Sequence, residues 1–327
     1  MPFEKRLIEL EKSLSHVENE ADRDRLNKEL AAERERVFSE LSAWDRVQLA
    51  RHSLRPRMLD YTARLFLDFF ELHGDRSFGD DPAVVCGLAQ FKGRTVFVVG
   101  QQKGVKTEEK VKRNFGMAHP EGYRKAMRAV RMAERLGYPI ITFVDTPAAH
   151  PGLEAEERGQ GPVIAETLRT FMSLKVPVLS LVLSEGGSGG ALAIAAADRV
   201  AMAENAIYLI CPPERCAEIL WRDAERKAEA ANALRVTATD LLEFGVIDNI
   251  LGEGALGAHR DPQPVIDAAR AEIERFLEDA ETGIFTPEHR RAKFRRMGQW
   301  AEAAPVAAQA PATAEPAPTE PVDNAGG

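Results

Sequence analysis

The spacing of apolar residues changes twice along this chain, and the changes divide it. Leu7, Leu10, Leu14 and Val17 keep a 3-4-3 rhythm, and Leu26, Leu30, Val37 and Leu41 continue it among charges of both signs. Such spacing puts apolar side chains on one stripe of a helix, so residues 3–42 are expected to form a helical arm that packs on the body or docks on another subunit. A second helix is expected over 55–72, ending at His73-Gly74. Beyond it, apolar runs of strand length at 95–99, 139–144, 176–183 and 207–210 alternate with helical patterns near 121–136 and 156–174. Alternation of this kind specifies a layered α/β domain with largely parallel strand pairing. Helices return near 262–280 and 286–298. Residues 301–327 are Ala, Pro, Thr and Glu without periodicity, and are expected to be disordered because they have little apolar surface to bury. The pattern therefore reads as an arm over 1–54, an α/β domain over 55–300 and a tail over 301–327.

Composition narrows the class. The 327 residues are 44% hydrophobic, enough for one large or two modest domains. A net charge of −8 and a pI near 5.6 argue against a nucleic-acid-binding protein. Cys86, Cys211 and Cys216 give neither a closed disulfide set nor a four-thiolate zinc site, so reduced buried thiols and no bound metal are expected. With no apolar signal core and no run of about 18 apolar residues, the expectation is a cytoplasmic protein with no membrane contact.

The chemistry concentrates at Glu185-Gly186-Gly187-Ser188-Gly189-Gly190, between the apolar run 176–183 and the small-residue run 191–197. Read as strand, turn and helix, the glycines let backbone N–H groups approach a bound oxygen at the positive end of the helix, which is how an oxyanion hole is built. A phosphate loop would need Lys-Ser or Lys-Thr where Ala191-Leu192 stands, and the dinucleotide fingerprint needs a further Gly where Leu192 stands. Gly186-x-Ser188-x-Gly190 does match a hydrolase nucleophile turn, so a serine hydrolase using Ser188, with Asp248 and His259 following in the right order, is a rival reading. Two other loops follow strand patterns, where α/β layers collect ligands. One carries Gln101, Gln102, Lys103, Lys106, Lys110 and Arg113, either a solvated face or an anion contact. The other runs from Asp145 through His150 to Gly152. Asp145 is a turn cap or a catalytic carboxylate, and His150 a base or a surface histidine.

Several runs taken together identify a family. Arg113-Asn114-Phe115-Gly116-Met117, Pro120-Glu121-Gly122-Tyr123-Arg124-Lys125-Ala126, residues 139–147, Ala155-Glu156-Glu157-Arg158-Gly159-Gln160, residues 185–194 and Gly257-Ala258-His259-Arg260 occur in order. From about residue 38 to 300 the chain resembles the carboxyltransferase alpha subunits of bacterial acetyl-CoA carboxylase. The resemblance implies an α/β fold of the crotonase-like (ClpP-like) ββα-superhelix type, with an N-terminal helical arm and C-terminal helices. It also implies a beta subunit bearing a zinc ribbon, an α2β2 heterotetramer, and transfer of carboxylate from carboxybiotin to acetyl-CoA, giving malonyl-CoA, the first committed step of fatty acid synthesis. Carboxybiotin would arrive as a substrate on the biotin carboxyl carrier protein, charged by biotin carboxylase in an ATP-dependent complex, so no covalently bound cofactor is expected.

By the same resemblance Gly189 and Gly190 are the backbone donors to the biotin ureido oxygen. Gly186, Gly187, Lys103, Lys106, Lys110, Arg113 and His150 are the expected substrate contacts. Two places depart from the family pattern: Ala148-Ala149-His150 stands for Gly-Ala-Tyr, and Pro212-Pro213-Glu214-Arg215 for Ser-Pro-Glu-Gly. If the family's glycines there take positive φ, Ala148 and Arg215 would strain or re-route those turns, and a catalytically silent assembly scaffold stays open as a non-enzyme reading.

Overall fold

The computed structural model describes residues 1–298. The expectation for 301–327 lies outside the described residues.

Eight strands form one sheet: β1 (Leu67–Glu71), β2 (Val84–Phe91), β3 (Arg94–Gln101), β4 (Ile140–Thr146), β5 (Val178–Gly187), β6 (Arg199–Ala203), β7 (Ile207–Leu209) and β8 (Asn249–Leu251). β1, β2 and β3 are an antiparallel meander, and Lys92-Gly93, both at positive φ, make the tight turn from β2 to β3. From β3 onward every pairing is parallel, in the order β3-β4-β5-β6-β8. β4 and β5 are buried along their whole length. Central strands covered on both faces must be apolar throughout, which is why these two were plain in the sequence.

β5 also changes neighbour along its length. Leu179–Val182 pair with β6, while Glu185–Gly187 pair with β7. The strand therefore runs through Gly186 and Gly187, and only Ser188 begins the helix Ser188–Ala195. The crotonase-like fold class expected from the sequence is the one found, a mixed α/β fold with a parallel sheet.

Elsewhere the pattern misled in specific ways. The expected helix 55–72 is Met58–Leu65 followed by the edge strand β1, and a separate helix, Ala43–Ala50, precedes it. The helix expected over 156–174 is split into Leu153–Glu157 and Gln160–Ser173, because Gly159 takes a left-handed conformation between them. The arm is a hairpin. Lys5–Ser15 and Glu20–Ser39 fold back on each other, with Asn19 capping the second helix, Leu7, Leu10, Leu30 and Val37 buried between them, and Arg6–Glu29 (2.6 Å) and Arg34–Glu11 (3.1 Å) paired across. It packs on its own chain: Glu4 reaches His259 and Arg260, each at 2.9 Å. Among the described residues no helix is long and apolar enough to cross a membrane.

Candidate active site

The carboxyl ends of β3, β4 and β5 bring the three loops together. Gln101, closing β3, donates from Nε2 to the carbonyl of Gly190 at 2.8 Å and accepts from the Asp145 N–H at 3.2 Å. Tyr123 donates to the same carbonyl at 3.3 Å. Three glycines are there for close approach. A Cβ on Gly187 would lie 1.8 Å from the Pro147 carbonyl oxygen, one on Gly190 2.4 Å from the Ala149 nitrogen, and one on Gly186 2.7 Å from the Tyr208 ring. Gly189 differs, since a Cβ there would meet only Ile164 at an ordinary 3.5 Å.

Ser188 is exposed and holds φ +52° at the point where strand becomes helix. The first N–H groups of a helix have no partner inside it. At this helix no side chain caps them, and among the described residues no loop carbonyl accepts from Gly189 or Gly190. Two backbone donors thus stand at the positive end of a helix dipole. Beside them opens a mostly apolar cavity of about 450 Å³, with Ser188, Gly189, Leu192, Tyr208, Leu209 and Leu241 in its wall. The arrangement suits a ligand with an apolar body and one oxygen that gains negative charge.

Behind the turn lies a buried run of alternating charge. Lys103 Nζ pairs with Asp145 Oδ1 at 2.9 Å and also with Glu185. Arg57 holds the other oxygen of Asp145 at 2.8 Å, and Arg51 bridges Glu185 (2.9 Å) to Glu214 (2.5 Å). Burial pushes the pKa of Asp145 up, but Lys103 and Arg57 outweigh it, leaving the carboxyl below its usual range. Glu185 is held low in the same way, burial opposed by Lys103 and Arg51. Asp145 is therefore a fixed anion within an ion network rather than a turn cap.

The basic loop is divided by this network. Lys103 is committed inside it, and Arg113 is spent on Glu109 (3.1 Å) and the Pro82 carbonyl (2.8 Å). Lys106 is exposed, and Lys110 lines a second cavity of about 370 Å³ together with Arg51, Arg57, Lys103 and Phe115. His150 lies in a third depression, its Nδ1 2.7 Å from the Asn114 amide and its Nε2 2.7 Å from Glu154. Arg51, Arg57 and Glu214 were not foreseen. Their partners are 88 to 163 residues away in the chain, and no spacing rule reaches that far.

The rival triad does not assemble. Asp248 accepts from the Val200 N–H at 2.7 Å and pairs with Lys293, while His259 is buried against Glu4. Ser188 is left without acid or base from either. The strain expected at the departures from the family pattern is also absent, since neither Ala148 nor Arg215 has positive φ, and Arg215 sits within the helix Pro213–Trp221.

Residues 1–298 match the sequence model of a family described as acetyl co-enzyme A carboxylase carboxyltransferase-like. The chain is 48% identical over 315 residues to the acetyl-coenzyme A carboxylase carboxyl transferase subunit alpha of Thermus thermophilus, covering 92% of this chain and 99% of that one. This chain belongs to the carboxyltransferase alpha-subunit family. The same-named protein of Geobacter metallireducens is 49% identical over 312 residues, covering 92% and 98%. Among solved structures, the transcarboxylase 12S hexamer core superposes with a TM-score of 0.59 at 21% identity, over 72% of this chain and 44% of that one. The beta subunit of Pseudomonas aeruginosa geranyl-CoA carboxylase follows at 0.56 and 15%, over 76% and 46%. At such identities the structural likeness speaks to the fold, and the family places the chain among transferases.

Proposed function

We propose that this chain is the alpha half of an acetyl-CoA carboxylase carboxyltransferase. Working with a beta subunit in the cytoplasm, it moves the carboxyl group of carboxybiotin, carried on the biotin carboxyl carrier protein, to acetyl-CoA. The observation that carries this reading is the pair of unpartnered N–H groups on Gly189 and Gly190, in a turn whose Ser188 and Gly189 line an apolar cavity. When the N–CO2 bond of carboxybiotin breaks, its electron pair moves into the ureido group and negative charge grows on the ureido oxygen. Two preorganised donors stabilise that charge more in the transition state than in the ground state. The freed biotin nitrogen then takes a methyl proton from acetyl-CoA, and the resulting carbanion attacks the CO2. No protein base is required, and Ser188 has no covalent role.

The ion network behind the turn fits a positioning role. Lys103 ties the end of β4 to the end of β5 through Asp145 and Glu185, so the donors are held before the substrate arrives. Arg51, Arg57 and Lys103 are taken up by Glu185, Glu214 and Asp145, so Lys110 is the charge the second cavity offers to an anionic group such as a coenzyme A phosphate.

The test is reconstitution. Purified alone, the chain should not decarboxylate malonyl-CoA in the presence of biocytin, because the family resemblance implies that the thioester's own oxyanion donors lie on the beta subunit. Co-expression with a beta subunit should restore turnover in a complex seen by gel filtration. Full activity of the isolated chain would overturn the assignment.

A further inference from the structure

We infer that His119, His150 and Glu154 form a binding site for one divalent transition-metal ion of the zinc class. One ligating atom from each of the three lies within 4.8 Å of the others. The two imidazoles have ring centroids 4.2 Å apart, and His150 Nε2 is 2.7 Å from Glu154 Oε1. Zinc–ligand bonds of about 2.0–2.2 Å set neighbouring ligand atoms roughly 3.3 Å apart in a tetrahedron, so side-chain rotation alone brings these atoms into range. Two imidazoles with one carboxylate favour zinc, cobalt or nickel over calcium and magnesium, which prefer all-oxygen sets.

The backbones that carry the ligands are fixed by bonds of their own. His119 donates its N–H to Asp81 Oδ2 at 2.8 Å, directly ahead of the helix Pro120–Leu136. His150 donates its N–H to the Ala118 carbonyl at 3.0 Å. Glu154 opens the short helix Leu153–Glu157, and between it and His150 stands Gly152. A Cβ at 152 would lie 2.4 Å from His150 Nε2 and 2.6 Å from the Glu154 carboxylate, so a side chain there would displace the pair from its present geometry.

The surroundings hold both signs. Arg158 Nη2 lies 3.4 Å from His119 Nδ1, and Lys112 also lines the depression of about 420 Å³. Against them stand Asp81, Glu121 and Glu154, and Glu121 already takes up Arg158 at 2.9 Å. On binding, His150 Nε2 gives up its proton and hydrogen bond to Glu154, and both atoms turn to the ion. Nδ1 then carries the ring proton, and the Asn114 amide nitrogen, now shared between Nδ1 (2.7 Å) and the Met117 carbonyl (2.8 Å), keeps its bond to Met117 as the imidazole turns to the ion. The depression leaves the fourth position to water. Because His150 follows Ala148 and Ala149, whose backbone Gly190 touches, an ion here would tie the loop behind the glycine turn to the head of the helix Pro120–Leu136.

The experiment uses the full chain, freed of metal by chelator and dialysed, then titrated with zinc chloride by calorimetry and with cobalt(II) by visible absorption. One equivalent of zinc, an intense tetrahedral cobalt band and a raised melting temperature are expected. Glu154→Gln, at an exposed side chain that the fold does not need, should weaken zinc binding about 10–100-fold or more, and His150→Ala should do the same. A Cys211→Ser/Cys216→Ser variant should bind as the parent does, separating the site from the thiols. Absence of stoichiometric zinc uptake, or uptake that survives both Glu154→Gln and His150→Ala, overturns the inference.

Discussion

Gly189 and Gly190 stand side by side in the sequence, yet the space around them makes opposite predictions. Gly189 has open space and no positive φ, so Gly189→Ala should keep both fold and activity in the assembled complex. Gly189→Pro removes one N–H in a first helical turn, where proline is tolerated, and should lower kcat by about 10² to 10³ with the melting temperature little changed. Gly190→Ala instead drives a methyl into the Ala148–Ala149 backbone and should destabilise by roughly 1–3 kcal/mol in urea titration. Ser188→Ala keeps every backbone donor and should retain most carboxyltransferase activity; labelling of Ser188 by a fluorophosphonate would contradict this. Lys103→Met leaves the buried Asp145 and Glu185 without their shared cation, and a loss of about 3–5 kcal/mol is expected, read from the urea midpoint. The sequence made the glycine turn legible because its chemistry is local. It could not reveal that Lys103 is occupied, since the two carboxylates that occupy it arrive from other strands.

Legibility follows the length and continuity of the apolar run more than burial itself: β2, mostly buried but interrupted by Gly87 and Gln90, is missing from the strands the sequence predicts. β4 and β5, covered on both faces, are continuous apolar runs and were read directly, as were the helices Pro120–Leu136 and Gln263–Glu281. The edge strand β1 reads as helix in the sequence, because Leu67, Phe69 and Phe70 continue an apolar pattern while Asp68 sits at positive φ in a register shift that no periodicity describes. β6 is five residues long with two alanines among them, and β8 has three residues, so neither carries a strand signal. The C-terminal helix Pro287–Arg296 was expected, but not what fastens it. Arg290, fully buried, forks onto both oxygens of Asp198 (3.0 and 2.5 Å) and also donates to the carbonyls of Phe171, Leu174 and Val176. Asp198 in turn accepts from the Val178 N–H, where β5 begins. Arg290→Met should therefore cost about 3–5 kcal/mol, because it strands a buried carboxylate, and Arg290→Met/Asp198→Asn should recover much of that loss in the same denaturation assay.

For the molecule as a whole, three carboxylates make acid a lever on stability. Glu4, opposed by burial but favoured more strongly by His259, the N-terminal ammonium and Arg260, has its pKa lowered from 4.5 to about 2. Asp75, where burial is outweighed by Arg124 and three backbone N–H groups, and Asp80, where it is outweighed chiefly by Lys125, fall from 3.8 to about 2. A carboxylate with a lowered folded pKa stabilises fully above its ordinary value and loses that contribution as pH falls through the folded one. Between pH 4.5 and 2 the arm and the segment between β1 and β2 should loosen, seen as lost hydrogen-exchange protection there, and Glu4→Gln should show the arm's part already at neutral pH. The forked strand β5 sets a different limit. Because Glu185–Gly187 are hydrogen-bonded to Ile207–Leu209, the main chain that presents the donors and the main chain that walls the apolar cavity form one rigid unit. Evolution or design that reshapes this cavity must work through side chains such as Leu192, Leu241 and Val246, since any shift of the Tyr208–Leu209 backbone would carry the end of β5, and the Gly189 and Gly190 N–H groups after it, out of place.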